Sequence, residues 1–231
     1  MKTISFLQTA LLFIALLGVS SCQPSGGIIQ PGDYSETIRI ACVGNSITYG
    51  MGIEGRDSLS YPAQLQDLLG DKFEVRNFGV SARTLMSRGD LPYIKEPEYL
   101  AALEFKPHVV LIKLGTNDTK PHNWVHNGDL EKDYTQLIQS FQALESKPKV
   151  VLLKAAPAFP ERWGISDSTI AKHLNPRVEK LAAELGLPCI DLHTALAGRD
   201  ELFPDLIHPN AEGAGIMAHT IYEALLGKAV K

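Results

Sequence analysis

The chain contains little cysteine, and this excludes a small fold held together by disulfides. Three cysteines occur among 231 residues, whereas disulfide-stapled domains carry many in a short sequence. Cys22 lies near the N-terminus, and Cys42 and Cys189 lie in apolar runs that are typical of strands. With the strand order that is given below, these two runs are not neighbours, so we predict two free thiols and no bridge.

An excess of positive charge is also missing. The chain has 22 Lys and Arg against 26 Asp and Glu, with a net charge of −4. Domains that bind nucleic acid usually present a strongly basic surface, so we expect no nucleic-acid partner. The composition, 45% hydrophobic and 21% charged, is that of a globular protein and excludes a disordered chain, a collagen-like repeat and a coiled coil.

The apolar stretch near the N-terminus is too short for a comfortable membrane span. Lys2 is followed by ALLFIALLGV at 10–19 and then by small residues, whereas a spanning helix needs about 20 apolar residues. A basic residue, a short apolar region and small residues are typical of a secretory signal. We therefore interpret residues 1–21 as a signal peptide.

The signal ends in VSSC at 19–22, which resembles a bacterial lipoprotein signal. The resemblance implies that Cys22 is lipidated and begins the mature chain, which would be held in the cell envelope, at the periplasm or the cell surface, by its N-terminal lipid alone. A plain secretory signal with an incidental Cys22 is the alternative. Residues 22–36 (CQPSGGIIQPGDYSE) read as the lipidated cysteine and a flexible tether, and 37–231 as one domain.

Beyond this segment, strand-like and helix-like patterns alternate along the chain. The β-rich apolar runs, which predict five strands, are 37–43, 73–78, 109–114, 150–155 and 188–192. Helical spacing of apolar residues marks 61–69, 130–144, 173–185 and a closing helix from Pro209 to 226. Strands separated by helices indicate βαβ units. We predict an α/β fold, a three-layer α/β/α sandwich around a parallel five-stranded sheet.

Polar motifs follow the predicted strands, at the edge where such sheets bind ligands. They are GNSIT at 44–48, NFGVS at 77–81, GTND at 115–118 and DLIH at 205–208. A serine hydroxyl becomes a nucleophile when an adjacent base takes its proton, and histidine, which ordinarily titrates near neutral pH, can be that base. Ser46, His208 and Asp205 are therefore candidates for the nucleophile, the base and the group that orients the imidazole.

The same motifs contain candidate donors for an oxyanion. The backbone N–H groups of Ser46 and Gly79 and the side-chain amide of Asn117 can supply pre-aimed hydrogen bonds to the charge that develops in acyl transfer. Structural alternatives are Ser46 as a helix cap, Gly79 as a turn glycine, and Asp205 and His208 as residues that only organise the turn into the final helix. His193, with Asp191, is a rival candidate for the base.

Taken in this order, the four motifs resemble the conserved blocks of the SGNH (GDSL-type) hydrolases. The Ser, Gly, Asn and His of that family correspond to Ser46, Gly79, Asn117 and His208, and Asp205 completes the Asp-x-x-His pair. The resemblance implies a flavodoxin-like sheet of order 2-1-3-4-5 and serine-dependent ester hydrolysis without a metal or other cofactor. The one departure is Asn45, which stands where the family commonly has a non-catalytic Asp.

The segment 113–124 is similar to envelope members of that family that act as carbohydrate or sialate O-acetylesterases. This similarity implies that the partner is a small ester or an O-acetylated glycan. Among the loop residues, Trp124 is a candidate for stacking on a sugar ring or, alternatively, for packing beneath its own loop. Arg83 is either a solvated surface residue or a contact for a polar substrate. The alternatives are a lysophospholipase or thioesterase of the same family, and a non-catalytic glycan-binding lipoprotein. The sequence indicates no particular oligomeric state.

Two further sequence patterns match ligand-binding motifs in residue type but not in their predicted structural context. GMGIEG at 50–55 spells G-x-G-x-x-G, but a dinucleotide-binding loop turns directly from a strand into a helix, and here the predicted helix begins only near residue 61. His122 and His126 lie four apart in a loop rich in Asn and Gly, which does not present two ligands from one helix face. We expect neither a nucleotide cofactor nor a metal.

Overall fold

The predicted strands form one parallel sheet. A computed structural model describes residues 26–228 of the chain. The strands are β1 (Ile38–Gly44), β2 (Phe73–Gly79), β3 (Val109–Lys113), β4 (Lys149–Leu153) and β5 (Cys189–Ile190). Their order is β2-β1-β3-β4-β5, and each neighbouring pair is parallel. The predicted α/β architecture and the sheet order 2-1-3-4-5 are confirmed.

Helices connect the strands and cover both faces of the sheet. They are α1 (Ser46–Tyr49), α2 (Arg56–Leu59), α3 (Tyr61–Leu69), α4 (Pro97–Glu104), α5 (Pro121–Trp124), α6 (Leu130–Gln142), α7 (Asp167–Thr169), α8 (Asn175–Glu184), α9 (Leu192–Leu196) and α10 (Ala211–Leu226). A π-helical turn, Ile170–Leu174, joins α7 to α8, and short 3-10 turns occupy several loops. Helices α3, α6, α8 and α10 correspond to the predicted ones within a few residues at each end.

Two hydrophobic clusters, one on each face, make the three layers. One cluster packs residues of α4, α6 and α8, such as Phe141 and Leu181, against alternate sheet residues such as Val110. The other packs α3, α9 and α10 against the intervening sheet residues, such as Leu111. Strands with both faces covered are almost wholly apolar, which explains why β1, β3 and β4 are recognisable in the sequence.

The register brings the carboxyl ends of β1, β2 and β3 to one level. Gly44, the last residue of β1, pairs with Gly79 of β2 and with Lys113 of β3. Helix α1 packs directly over this edge, since a Cβ on Gly79 would lie 2.3 Å from the backbone nitrogen of Tyr49. Glycine at 79 therefore allows the turn that begins at Ser46 to rest on the sheet.

The largest differences from the sequence-based expectation are a further helix and a packed N-terminal segment. Helix α4, between β2 and β3, was not predicted, because eight residues without a strong apolar stripe resemble a loop. The expected tether also packs against the domain: the backbone N–H groups of Ile28 and Ile29 donate to the carbonyls of Ala224 and Leu225 at the end of α10, at 3.1 and 2.9 Å. Ile29 is fully buried, so this part of 22–36 is anchored to the core.

The expected signal peptide, residues 1–21, and Cys22 lie outside the described residues. Within 26–228, no helix has the length and apolar character needed to cross a bilayer. Cys42 is buried and Cys189 is partly buried, and both are free thiols, in agreement with the prediction.

Candidate active site

Ser46 is positioned by the turn that leaves β1. The side chain of Asn45 caps α1, with Oδ1 accepting the N–H of Ile47 at 3.2 Å, and Gly50, at a φ of 89°, ends the helix after one turn. Ser46 is thereby the first helical residue and is 8% exposed. Because Asn45 makes the cap through a side-chain oxygen, it supplies the acceptor that an Asp would supply at this position.

Ser46, His208 and Asp205 form a continuous line of hydrogen bonds. Nε2 of His208 lies 2.8 Å from Oγ of Ser46, 162 positions away in the chain. Nδ1 of the same ring lies 2.7 Å from Oδ2 of Asp205. The three side chains that the sequence analysis selected are thus in contact in the order that proton transfer from serine to histidine requires.

Asp205 is held by the backbone of its own turn. Its Oδ1 accepts the N–H groups of Ile207 and His208 at 3.0 and 2.7 Å. Partial burial alone would raise the pKa of Asp205, but hydrogen bonds from the ring and backbone of His208 and from the backbone of Ile207 outweigh it and hold the pKa below its usual value. The carboxylate therefore stays ionised at neutral pH and faces the imidazole as an acceptor.

Asn117 lies beside Ser46 and lines the same cavity. One hydrogen of its Nδ2 is used in a 3.0 Å bond to the carbonyl of Arg83, which leaves the second for a bound group. Its neighbour Asp118 is fully buried and accepts the N–H groups of Leu85 and Met86 at 2.9 and 2.7 Å. Burial raises the pKa of Asp118 to about 6 despite these bonds. Together the two side chains fix the loop that follows β2 next to Ser46.

The expected donor role of Gly79 does not agree with its position. Its N–H already donates to Oδ1 of Asn77 at 2.9 Å, and it lines a neighbouring pocket, apart from Ser46. Ala82 lines the cavity of Ser46 instead, and its N–H has no acceptor among residues 26–228. The φ of Ala82 is 67°, which is uncommon for a residue with a Cβ and sets the direction of this N–H.

The cavity beside Ser46 has a volume of about 230 Å³. Its lining consists of Ser46, Met51, Ser81, Ala82, Asn117, Lys120, Trp163, Ile165 and His208. A larger groove of about 540 Å³ runs along β2 and α3, but Ser46 is not part of it. The smaller cavity is therefore the one that holds a nucleophile, a base and hydrogen-bond donors together.

Both residues predicted to contact substrate lie elsewhere. Trp124 is partly buried against the hydrophobic cluster of α4, α6 and α8 and does not line the cavity of Ser46. Arg83 forms an ion pair with Glu96, Nε to Oε1 at 2.7 Å, and lines the neighbouring pocket with Gly79. Each is fixed by partners in the fold, which the sequence pattern could not show.

The rival base, His193, is also separate from Ser46. Its Nε2 lies 2.9 Å from Oδ1 of Asp167, and it lines a different pocket, formed by residues of α8 and by residues that follow β4 and β5. Asp191, its expected companion, caps α9 through the N–H of Thr194 and pairs with Lys154 at 2.7 Å. Within residues 26–228, no group of three or more His, Cys, Asp or Glu could hold a metal ion.

Sequence reasoning missed Ala82 and Trp163. The role of Ala82 depends on a backbone N–H, which carries no signature in the residue type. Trp163 lies in the loop that follows β4, and the carboxyl end of that strand faces the same sheet edge. Examination of the loop after the fourth predicted strand for an aromatic residue would have found it.

Lys113, the last residue of β3, is fully buried beneath this edge. Within the described chain its Nζ has one hydrogen bond, to Oγ1 of Thr116 at 3.4 Å, and no salt bridge. Burial lowers the pKa of Lys113 to about 7. Because burial penalises the charged form, the folded state is more stable when Lys113 is neutral than when it is charged.

We expect Lys113→Met to remove a pH dependence of stability. Between about pH 7 and 10 the unfolded lysine is protonated and the folded one is not, so the free energy of unfolding of the wild type should rise with pH, by at most about 1.4 kcal/mol per pH unit. Urea denaturation of both proteins across this range measures the difference. If the free energies of unfolding of the two proteins change with pH in parallel, the pKa of Lys113 is not lowered in the folded state.

Comparison with known proteins identifies the family of the chain. The model of the GDSL-like lipase/acylhydrolase family matches residues 42–216, a span that contains Ser46, Asn117, Asp205 and His208. An acetylxylan esterase of Xylanibacter ruminicola is 42% identical over 213 residues, covering 84% of this chain and 44% of its own. A multidomain esterase of Ruminococcus flavefaciens is 28% identical over 212 residues, covering 77% of this chain and 27% of its own.

Among solved structures, a carbohydrate acetylesterase from Sinorhizobium meliloti superposes with a TM-score of 0.66 at 20% identity and covers 80% of this chain and 97% of its own. This likeness supports the fold. The chain spans less than half of the length of the two curated relatives it matches. The matched span and the sheet topology lead to one conclusion: the chain belongs to the GDSL-like lipase/acylhydrolase family.

Proposed function

We propose that this protein is a carboxylic ester hydrolase that removes O-acetyl groups from carbohydrates through an acyl-enzyme at Ser46. The observation that carries the proposal is the hydrogen-bonded line from Ser46 through His208 to Asp205, at 2.8 and 2.7 Å, which opens on a small cavity. The similarity to an acetylxylan esterase supports an acetylated sugar as the substrate.

In the proposed reaction, Nε2 of His208 accepts the proton of Ser46 as Oγ attacks the acetyl carbonyl. The oxyanion accepts hydrogen bonds from the N–H groups of Ser46 and Ala82 and from the side chain of Asn117. The bond between the carbonyl carbon and the sugar oxygen then breaks, and the sugar hydroxyl leaves with the proton from His208. Water then gives a proton to the same ring and attacks the acyl-serine. The bond from the carbonyl carbon to Oγ breaks, the ring returns the proton to Oγ of Ser46, and acetate is released.

The cavity favours a short acyl group over a long one. Its volume of about 230 Å³ accommodates an acetyl group, and its apolar lining includes Met51 and Ile165, beside the polar Lys120 and Asn117. A fatty acyl chain needs a longer continuous apolar surface to leave water. This observation argues against a lysophospholipase or thioesterase that prefers long chains.

The test is acetate release from a panel of O-acetylated saccharides, together with nitrophenyl esters of increasing chain length, with Ser46→Ala as the blank. We expect acetate release from acetylated sugars and a decline in kcat/KM beyond short acyl chains. A preference for long chains would favour the lysophospholipase or thioesterase alternative. Saturable glycan binding without any ester turnover would favour a non-catalytic glycan-binding protein.

We expect Asn117→Ala to lower kcat by about 10²–10³-fold, as removal of one oxyanion donor does elsewhere. The measurement is steady-state hydrolysis of an acetate ester, with thermal unfolding to account for the lost bond to Arg83. Asn127→Ala is the matched control, because Asn127 donates its amide to the carbonyl of Trp124 at 2.6 Å and does not line the cavity. An unchanged kcat for Asn117→Ala would remove Asn117 from this role.

We also propose that the protein is exported and attached to a membrane of the cell envelope through lipidated Cys22. The VSSC sequence at 19–22 supports this proposal. Growth of a bacterial host with radiolabelled palmitate should label the wild type but not Cys22→Ser. Equal labelling of the two proteins, or none, would contradict lipidation.

A further inference from the structure

Trp163 occupies an unusual position in a tight turn. The N–H of Arg162 donates to the carbonyl of Ile165 at 3.0 Å, and the N–H of Ile165 donates back at 2.9 Å. The two residues between them have positive φ angles, 53° for Trp163 and 76° for Gly164. This is the geometry of a two-residue hairpin turn, which ordinarily has Asn, Asp or Gly at these positions. A bulky residue there is conformationally unfavourable.

The surrounding packing forces this backbone conformation. Ile165 is buried, and a Cβ on Gly164 would lie 2.9 Å from Cδ of Pro121, so the turn rests against the start of α5. Earlier in the same loop, the N–H of Phe159 donates to the carbonyl of Leu206 at 2.8 Å. The loop is therefore fixed between α5 and the turn that contains His208.

Trp163 itself adds little to the core. It is 55% exposed, so the strained backbone does not bring a large apolar surface out of water. Backbone strain of this kind is held in place by the surrounding structure and clusters at active sites and ligand-binding sites. An exposed indole in a left-handed conformation is thus better explained by a ligand than by stability.

The ring lies at the mouth of the cavity that contains Ser46. Its centroid is 5.9 Å from that of the His208 imidazole, with the two planes tilted by 45°. The guanidinium of Arg162 lies over the indole at 4.7 Å from its centroid, which orients the ring. Lys120 lines the same cavity, and its ammonium has no salt bridge among residues 26–228. A flat apolar ring beside a free hydrogen-bond donor suits the face and the hydroxyl groups of a sugar.

We infer that Trp163 is the platform on which the sugar ring bearing the ester stacks, so that it selects esters of cyclic sugars over esters of simple alcohols. The inference rests on the proposed function, because it concerns the alcohol part of the same ester. The acetyl group would lie towards Asn117 and Ala82, and the sugar would lie over the indole. Trp163 thus determines specificity and takes no part in proton transfer.

The first test compares Trp163→Ala and Trp163→Phe on two acetate esters, acetylated methyl xylopyranoside and ethyl acetate. For the alanine variant we expect kcat/KM on the sugar ester to fall about tenfold, mainly through KM, as expected for the loss of one stacking contact. Phenylalanine should restore most of it, and the loss of turnover on ethyl acetate should be clearly smaller than the loss on the sugar ester. Val125→Ala is the control, because Val125 is apolar, 72% exposed and outside the cavity.

Two results would overturn the inference. An equal loss on both esters would mean that Trp163 acts on His208 and not on the sugar, and an unchanged kcat/KM on the sugar ester would mean that no stacking occurs.

If the wild type hydrolyses neither ester, the proposed function is wrong, and a binding experiment then tests the inference about Trp163 separately. Xylotriose titrated into Ser46→Ala should change the tryptophan fluorescence, and the added Trp163→Phe substitution should abolish that change. Identical fluorescence changes in the two proteins would also exclude the platform.

Discussion

Replacement of Ser46 with alanine is expected to lower the turnover of an acetate ester by about 10⁴-fold or more, as loss of the nucleophile does in other serine hydrolases. The hydroxyl of Ser46 makes the hydrogen bond to Nε2 of His208, and the helix cap is made by Asn45. Alanine at the first position of α1 therefore removes the nucleophile without disturbing the turn. Circular dichroism and thermal unfolding should match those of the wild type.

His208→Ala should reduce turnover to a similar extent, and the double variant with Ser46→Ala should be no slower than either single one, since the two groups act as a unit. His193→Ala is the matched control: this ring bonds to Asp167 at 2.9 Å and lines a different pocket. Full activity in His208→Ala, or a comparable loss in His193→Ala, would contradict the assignment of the base.

Much of the fold is recognisable in the sequence because its physical causes are local. Strands such as β3 are covered by helices on both faces and therefore read as continuous apolar runs, and α6 carries an apolar stripe on one face. The order of the strands could not be predicted from these local patterns; it was predicted from the resemblance to a family. Helix α4 was missed because eight residues with one buried position carry too weak a stripe.

The residues of the candidate site also divide into those that the sequence could identify and those that it could not. Ser46, Asn117, Asp205 and His208 could be selected because reactive residue types directly follow strands or open helices at one sheet edge. Gly79 and Ala82 could not be distinguished, because the donor is a backbone N–H and its direction depends on the φ of 67° at Ala82. Trp124 was selected as the candidate for stacking on a sugar ring in place of Trp163, because the burial of a loop residue depends on which helix packs over it.

Asp205→Asn is expected to lower kcat by about 10⁴-fold, comparable to the loss of the orienting carboxylate in a serine protease, without unfolding the turn. An asparagine oxygen can still accept the N–H groups of Ile207 and His208, which Oδ1 now binds. The other position becomes an NH₂ group, which must donate to Nδ1 of His208. The ring proton then moves to Nε2, and a protonated Nε2 cannot accept the proton of Ser46.

Steady-state kinetics on an acetate ester measures this effect, and urea denaturation checks that the variant is folded. Asp191→Asn is the matched control, because Asp191 caps α9 and pairs with Lys154 at a distance from the cavity of Ser46; its kcat should be unchanged. Retention of more than about a tenth of the wild-type kcat in Asp205→Asn would mean that the backbone turn alone holds the imidazole in its reactive tautomer. The carboxylate of Asp205 would then be a structural element of that turn, and the proton relay would consist of Ser46 and His208.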